Sequence, residues 1–399
     1  MKKILFAFLY FLTANILVSG QSPISKPALD SLLKEAELTQ TDGLVIFKDG
    51  KLFGEYYFGK EPKKIEAMSS TKSIVNFAIG KLFTDGLLDS LEKPVFHFYP
   101  EWNQGLKKEI TVRELLNQTS GMQNVPNTNV EIYPSPDFVK LALAAEIVDT
   151  PGTRFNYNNK AVNLLSGIVQ RISHVKLDNY LSEKIFKPLG IEDYNWTRDD
   201  EGNPEAMSGF QVFPKDMAKL GQLFLNRGKW NGQQLIADSW FTQTEQPVKL
   251  NPDYGLLWWI QYDSIFNIID DFQIKKLKEI GFDKEMLEKI ESIKGKYLSS
   301  DYMGFITDKV LNTTSDWVSK YVPLLVSNGM SLSRREYGKI IGYYTDGFLG
   351  NYMVIYPEKK LVVVRMISWD SFKKGKGNEN GTGYNTFDNF LDLARMLVR

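Results

Sequence analysis

Two apolar hairpins, one near each end of the chain, constrain the fold more than any other feature. Leu44-Val45-Ile46-Phe47 and Leu52-Phe53-Gly54-Glu55-Tyr56-Tyr57 flank Lys48-Asp49-Gly50-Lys51, whose Asp-Gly step suits a hairpin turn. Met353-Val354-Ile355-Tyr356 and Leu361-Val362-Val363-Val364-Arg365-Met366 flank Pro357-Glu358-Lys359-Lys360 in the same manner. Strands at opposite ends of a chain that share one sheet bring the intervening residues into a single unit. We therefore expect an α+β fold: one antiparallel sheet flanked by helices, among them a terminal amphipathic helix over Phe387 to Leu397, plus a mostly helical region from about 87 to 246. A pocket is expected where two such regions meet.

Ser69-Ser70-Thr71-Lys72 stands at the mouth of one of these helices. The residues that follow (Ile74, Val75, Phe77, Ala78, Ile79, Leu82, Phe83) are apolar nearly all round, the pattern of a buried helix. A serine hydroxyl is a weak nucleophile until a neighbouring base takes its proton. Residues i and i+3 share a helix face, so Lys72 can stand beside Ser69. Burial pushes a lysine towards its neutral amine, and a helix N-terminus favours negative charge at the serine. Ser-x-x-Lys also occurs at Ser31 and Ser371, but only Ser69 opens a long apolar helix and precedes a Tyr-x-Asn, at Tyr157-Asn158-Asn159. With two histidines and no cysteine in the chain, this is an acyl-transfer apparatus without imidazole or thiolate.

These phrases, in this order, carry a resemblance. Ser69 to Lys72 is followed by Ile110-Thr111-Val112-Arg113-Glu114-Leu115-Leu116 leading to Thr119-Ser120-Gly121, then by Pro151-Gly152 through Asn159. Pro188-Leu189-Gly190-Ile191, Asp216-Met217-Ala218-Lys219-Leu220-Gly221-Gln222 and Tyr254-Gly255-Leu256-Leu257-Trp258-Trp259 complete the set. From about Leu44 onward, one insertion apart, the chain resembles the serine β-lactamase and penicillin-binding-protein superfamily, in its class C-like branch of esterases, D-aminopeptidases and amide hydrolases. The resemblance implies Ser69 as the acylated nucleophile, Lys72 as the partner that accepts or relays its proton, and Tyr157 as base and acid between them. It implies Asn159 as an amide that hydrogen-bonds substrate and lysine. It also implies an oxyanion hole from the backbone N–H groups of Ser69 and Phe348, donors fixed before charge develops. No cofactor and no metal is implied.

The third motif departs from the family's Lys-Thr-Gly or His-Thr-Gly. Thr345-Asp346-Gly347-Phe348 stands in its place, so the cation is missing and Asp346 replaces a hydroxyl. We expect Thr345, Asp346 and Gly347 to line the substrate, with Gly347 allowing close approach. A substrate carboxylate would then meet like charge, which points to an ester or amide that is neutral or cationic on that side. A D-alanyl-D-alanine carboxypeptidase or true β-lactamase is the alternative enzyme, and a non-catalytic binding or sensor protein on the same fold is the alternative of another class.

Acidic and basic residues balance to a net charge of zero, which excludes the basic footprint of a nucleic-acid binder. Residues 1–20 read as a secretory signal: Met1-Lys2-Lys3, an apolar run to Val18, then Val18-Ser19-Gly20. The expectation is a secreted, bacterial periplasmic hydrolase domain over 21–399 that acts on a small-molecule or short-peptide substrate and keeps no stable membrane span. His97, His174 and Asp270-Asp271 read as structural, and Lys373 to Gly383 as a polar loop. A helical insertion from about 262 to 338 carries apolar stripes (Ile274, Leu277, Ile280; Leu287, Ile290, Ile293) that need a partner surface. It is expected to wall or lid the active site.

Overall fold

The structure is a computed structural model that describes residues 23–374 and 387–398. The expected signal segment, residues 1–20, and most of the loop from Lys373 to Gly383 lie outside the described residues.

The two end hairpins do meet. Gly43–Lys48 pairs with Leu361–Met366 in antiparallel register, Val45 opposite Val364, within a seven-stranded antiparallel sheet. From one edge to the other the strands are Lys51–Tyr56, Gly43–Lys48, Leu361–Met366, Asn351–Tyr356, Ile340–Gly347, Trp258–Tyr262 and Tyr254–Gly255. The uninterrupted apolar runs have a physical reason: both faces of the central strands are covered, so neither side alternates with polar residues. Val45, Phe47, Met353, Val362 and Val364 join the main core. Leu44, Ile46, Val354, Leu361 and Val363 pack instead under the helices Lys26–Leu38 and Phe390–Met396. The terminal helix is shorter than its apolar pattern suggested, since Phe387 to Asn389 turn into it rather than belong to it.

The helix Thr71–Thr84 is buried on nearly every side, as its composition requires. Its one internal amide is fully satisfied: Asn76 Oδ1 accepts from Trp240 Nε1 at 3.0 Å, and its Nδ2 donates to Leu256 O at 2.8 Å. Gly80 lets the Trp240 indole lie against the helix, where a Cβ would come within 2.5 Å of Nε1. The region from 87 to 246 contains the expected helices, notably Asn159–Ser173 and Pro214–Leu225, but long loops separate them. A small sheet of Ile65–Glu66, Phe210–Val212 and Asn195–Trp196 is an addition that the sequence reading missed.

The insertion is more than helices. Ile265–Ile269 is the middle strand of a three-stranded sheet with Gly295–Leu298 and Arg334–Tyr337. Its apolar stripes pack on one another, with Leu277, Ile290, Ile306 and Val310 in a core separate from the main one. The partner surface they need is therefore largely the insertion itself. Asp270 caps the helix Asp271–Glu279 through Gln273 N and pairs with Arg334, so it is structural. Among the described residues no cluster suited to a metal ion occurs, and no helix is long and apolar enough to cross a membrane.

Candidate active site

Ser69 lies in a tight turn, Met68–Ser70, that leads into the helix Thr71–Thr84. Met68 holds a left-handed backbone, φ 51°, sparsely populated for a non-glycine residue, and is fixed by packing on Leu349, Ile367 and Phe372. The sharp turn leaves Ser69 half-buried while its neighbours are covered. Gly347 abuts it: a Cβ there would fall 2.3 Å from Ala67 O. Gly347 thus permits a close approach to the nucleophile turn. Ser70 Oγ donates to Asn351 O at 2.8 Å and ties the same two segments together.

Lys72 is 2% exposed. Its Nζ sits 3.0 Å from Ser69 Oγ and 2.7 Å from the carbonyl of Met207. Among the described residues no carboxylate lies within ion-pair distance of it. Burial with no compensating charge lowers its pKa to about 7. The Tyr157 ring centroid is 4.9 Å from Lys72 Nζ, and the Ser69 side chain acts on its phenol. Burial pushes this phenol well above its usual range, and the nearby Asp346 carboxylate adds to the shift. Tyr157 stacks on Trp259 at 6.0 Å and meets Tyr254 edge-on at 6.3 Å. Ser69, Lys72 and Tyr157 are therefore brought together. The other two Ser-x-x-Lys serines are not part of this: Ser31 Oγ donates to Pro27 O, and Ser371 Oγ to Asp42.

Asn159 opens the helix Asn159–Ser173, but among the described residues its expected bond to Lys72 is not made; Lys72 Nζ meets the Met207 carbonyl instead. Its buried Oδ1 has no hydrogen-bond partner among the described residues. The neighbouring Asn158 is a helix cap, accepting from Lys160 N at 2.9 Å. Two residues escaped the sequence reading. Asn163, one turn beyond Asn159, accepts from Met207 N at 3.2 Å and so sets the carbonyl that holds Lys72. A backbone carbonyl leaves no signature in residue type, although the i+4 spacing of the two asparagines on one helix face was available.

Thr345 contradicts its expected role. It is fully buried, and its Oγ1 accepts from Met353 N at 3.2 Å, away from the pocket. Alternation along the strand puts Asp346 on the opposite face. Asp346 has no Lys or Arg within ion-pair distance among the described residues. Loss of hydration raises its pKa, and its charge acts on Tyr157, Tyr344 and Tyr352. The strand Trp258–Tyr262 pairs with this strand no further than Tyr344 opposite Trp259, so residues 345–347 are paired only on the Asn351–Met353 side. Phe348 follows directly, and its carbonyl accepts from Asn351 Nδ2 at 3.1 Å. The buried Arg365 guanidinium donates to Leu349 O at 2.8 Å and Gly350 O at 2.7 Å, which braces the turn.

The Beta-lactamase family model matches residues 35–380. The chain belongs to the Beta-lactamase family. Members of this family on this fold are typically serine hydrolases. Protein flp of Staphylococcus aureus (strain MRSA252) is 28% identical over 189 residues, 42% of this chain and 37% of that protein. The matched part of the chain thus spans well under half the length of that relative. A 6-aminohexanoate-dimer hydrolase of Paenarthrobacter ureafaciens is 24% identical over 232 residues, 53% of this chain and 59% of that enzyme. Among solved structures, a penicillin-binding protein homologue from Pyrococcus abyssi superposes with a TM-score of 0.54 at 19% identity, covering 87% of this chain and 74% of that one. The β-lactamase/transpeptidase-like fold expected from the sequence is thereby shown.

Proposed function

We propose that this protein is an exported hydrolase that cleaves an ester or amide through an acyl-enzyme at Ser69. The observation that carries the reading is the buried Lys72 amine, 3.0 Å from Ser69 Oγ and held by a carbonyl instead of a carboxylate. With its pKa near 7, a good fraction of Lys72 is the neutral amine at neutral pH and takes the serine proton as Oγ attacks the carbonyl carbon. Tyr157, a phenol kept protonated by burial, then supplies a proton to the departing alkoxide or amine and is recharged from Lys72. The oxyanion is received by the N–H groups of Ser69 and Phe348, in a turn braced by Arg365. Water repeats the sequence in reverse and releases the acid. The unpaired Asn159 Oδ1 accepts from a substrate N–H or O–H.

Asp346, unpaired beside Tyr157, favours substrates that are neutral or cationic on that side. A dimer of an amino acid is joined by an amide, so the Paenarthrobacter relative keeps amides beside esters as candidates. Export rests on the basic start and apolar run of residues 1–20. A panel of p-nitrophenyl esters, D-amino-acid amides, peptidoglycan peptides and nitrocefin tests the substrate class. Neutral esters or amides turned over faster than nitrocefin support the reading; efficient nitrocefin or D-Ala-D-Ala cleavage overturns it in favour of a β-lactamase or carboxypeptidase.

A further inference from the structure

Within the insertion, the helices Ser299–Ile306 and Val322–Ser327 border a cavity of about 580 Å³. Ile306, Trp317, Leu325 and Met330 give it an apolar wall. The other end is polar and built around Asn267, which donates to Ser299 Oγ at 2.6 Å and accepts from Ser333 Oγ at 3.0 Å. Arg335 lies opposite Asn267 in the strand register and also lines the cavity. At this end the buried Tyr302 hydroxyl completes no hydrogen bond among the described residues. A buried hydroxyl without a partner costs stability, which a bound acceptor would restore.

Ser299 and Arg335 belong at the same time to a second cleft, of about 320 Å³, whose other walls include Trp259, Tyr344 and Asp253. That cleft reaches the catalytic neighbourhood through Trp259, which stacks on Tyr157. Trp259 lies between Tyr157 and Tyr344, nearly parallel to both, at 6.0 and 6.2 Å. Arg335 donates to Asp253 at 2.9 Å, next to the Tyr254 that meets Tyr157 edge-on. The two cavities thus share Ser299 and Arg335 as lining residues, one cavity apolar and remote, the other bordered by Trp259.

We propose that the apolar cavity of the insertion holds the tail of the substrate, a long alkyl group whose acyl end runs past Ser299 and Arg335 and along Trp259 towards Ser69. This rests on the acyl-transfer reading of Ser69. The volume lies within the roughly 300–1,000 Å³ of small-molecule sites. Each methylene taken from water into the apolar wall contributes about 0.8 kcal/mol.

The test uses the full chain and two plugging variants, Met303→Trp and Val326→Trp, at exposed positions that line the cavity. The probes are cis-parinaric acid, read by its fluorescence, and the pair p-nitrophenyl decanoate and p-nitrophenyl acetate. The expected results are saturable parinarate binding to the parent and to Ser69→Ala, weakened at least about tenfold by either plug. The decanoate-to-acetate ratio of kcat/KM should fall by about tenfold or more, with acetate itself unchanged. Absence of saturable binding, or binding and ester ratio unaffected by both plugs, overturns the proposal. A plug that changes only the oligomeric state overturns it too, and makes the face a contact between copies of the chain. Parinarate binding without any acylation of Ser69 keeps the cavity as a ligand site and removes the catalytic reading instead.

Discussion

The Nζ of Lys72 is 2.7 Å from the backbone carbonyl of Met207. A carbonyl satisfies one N–H of the amine but brings no net negative charge to stabilise an ammonium. The buried lysine is therefore held in place and kept near neutrality by the same arrangement, and Asn163 sets the carbonyl through Met207 N at 3.2 Å. In the proposed mechanism proton acceptance falls to Lys72, whose pKa burial lowers while it raises that of Tyr157.

The pH dependence follows from that division. kcat/KM for a neutral ester should be low in acid, where Lys72 is an ammonium, and rise through about pH 7 as it loses its proton. No fall should follow in the ordinary phenol range near pH 10, because Tyr157 is pushed above it. A pH–rate profile on short-chain esters checks both limbs. A rise centred near pH 10 would assign the limb to an unperturbed lysine or phenol.

A lysine whose pKa is depressed by burial costs the fold stability at every pH below its unfolded value. Below about pH 7 both folded and unfolded chains carry the charge and the cost is complete; it fades as pH rises towards the unfolded value of 10.5. Lys72→Met should therefore raise Tm by about 2–4 °C or more, with a larger gain near pH 6 than near pH 9, while activity is lost. Thermal melts of parent and variant at the two pH values measure it. A variant that melts lower than the parent at both would mean that the ammonium is well solvated or paired.

Asn163 is a positioning residue in this account, and its effect should be visible in the pH profile. Asn163→Ala removes the acceptor for Met207 N and should lower kcat by about tenfold with KM little changed, at the weak end of proton-transfer effects. Asn163→Asp keeps an acceptor oxygen but places a carboxylate near Lys72, which favours the ammonium and should move the rise in the profile to higher pH. An unshifted profile in Asn163→Asp, with normal rate, removes Asn163 from the site.

Much of this was legible because it follows from periodicity and order. The runs around Val45 and Val363 are apolar throughout since both sheet faces are covered, and the helix after Ser69 is apolar all round since nothing of it reaches solvent. Ser69, Lys72 and Tyr157 were readable from spacing and context. The side to which Thr345 points was not, because a one-residue shift in a strand exchanges the two faces and the motif alone does not fix the register. Met207 was invisible since its carbonyl acts, and the strands of the insertion were hidden by the stronger helical periodicity of Leu277, Leu287 and Ile290.

We predict that Asp346, not Thr345, sets charge preference at the end of the strand Ile340–Gly347. Asp346→Asn should raise kcat/KM for carboxylate-bearing substrates relative to neutral ones by about 5- to 30-fold, the value of one or two kcal/mol. Thr345→Lys should instead destabilise the protein, since it drives a charge into a fully buried position. Relative rates on nitrocefin and a neutral ester, with melts of both variants, separate the two effects. An Asp346→Asn enzyme with unchanged preference shows that this carboxylate does not face the substrate.

The central claim is that Ser69 becomes acylated, and one measurement reaches it directly. The protein is incubated with a fluorophosphonate or a slowly hydrolysed ester, and its tryptic peptides are read by mass spectrometry. The account predicts one adduct, on the peptide containing Ser69, absent from a folded Ser69→Ala and formed about 10²–10⁴ times more slowly in Tyr157→Phe. An adduct on a different serine, or a Ser69→Ala protein that labels and turns over as the parent does, would contradict it.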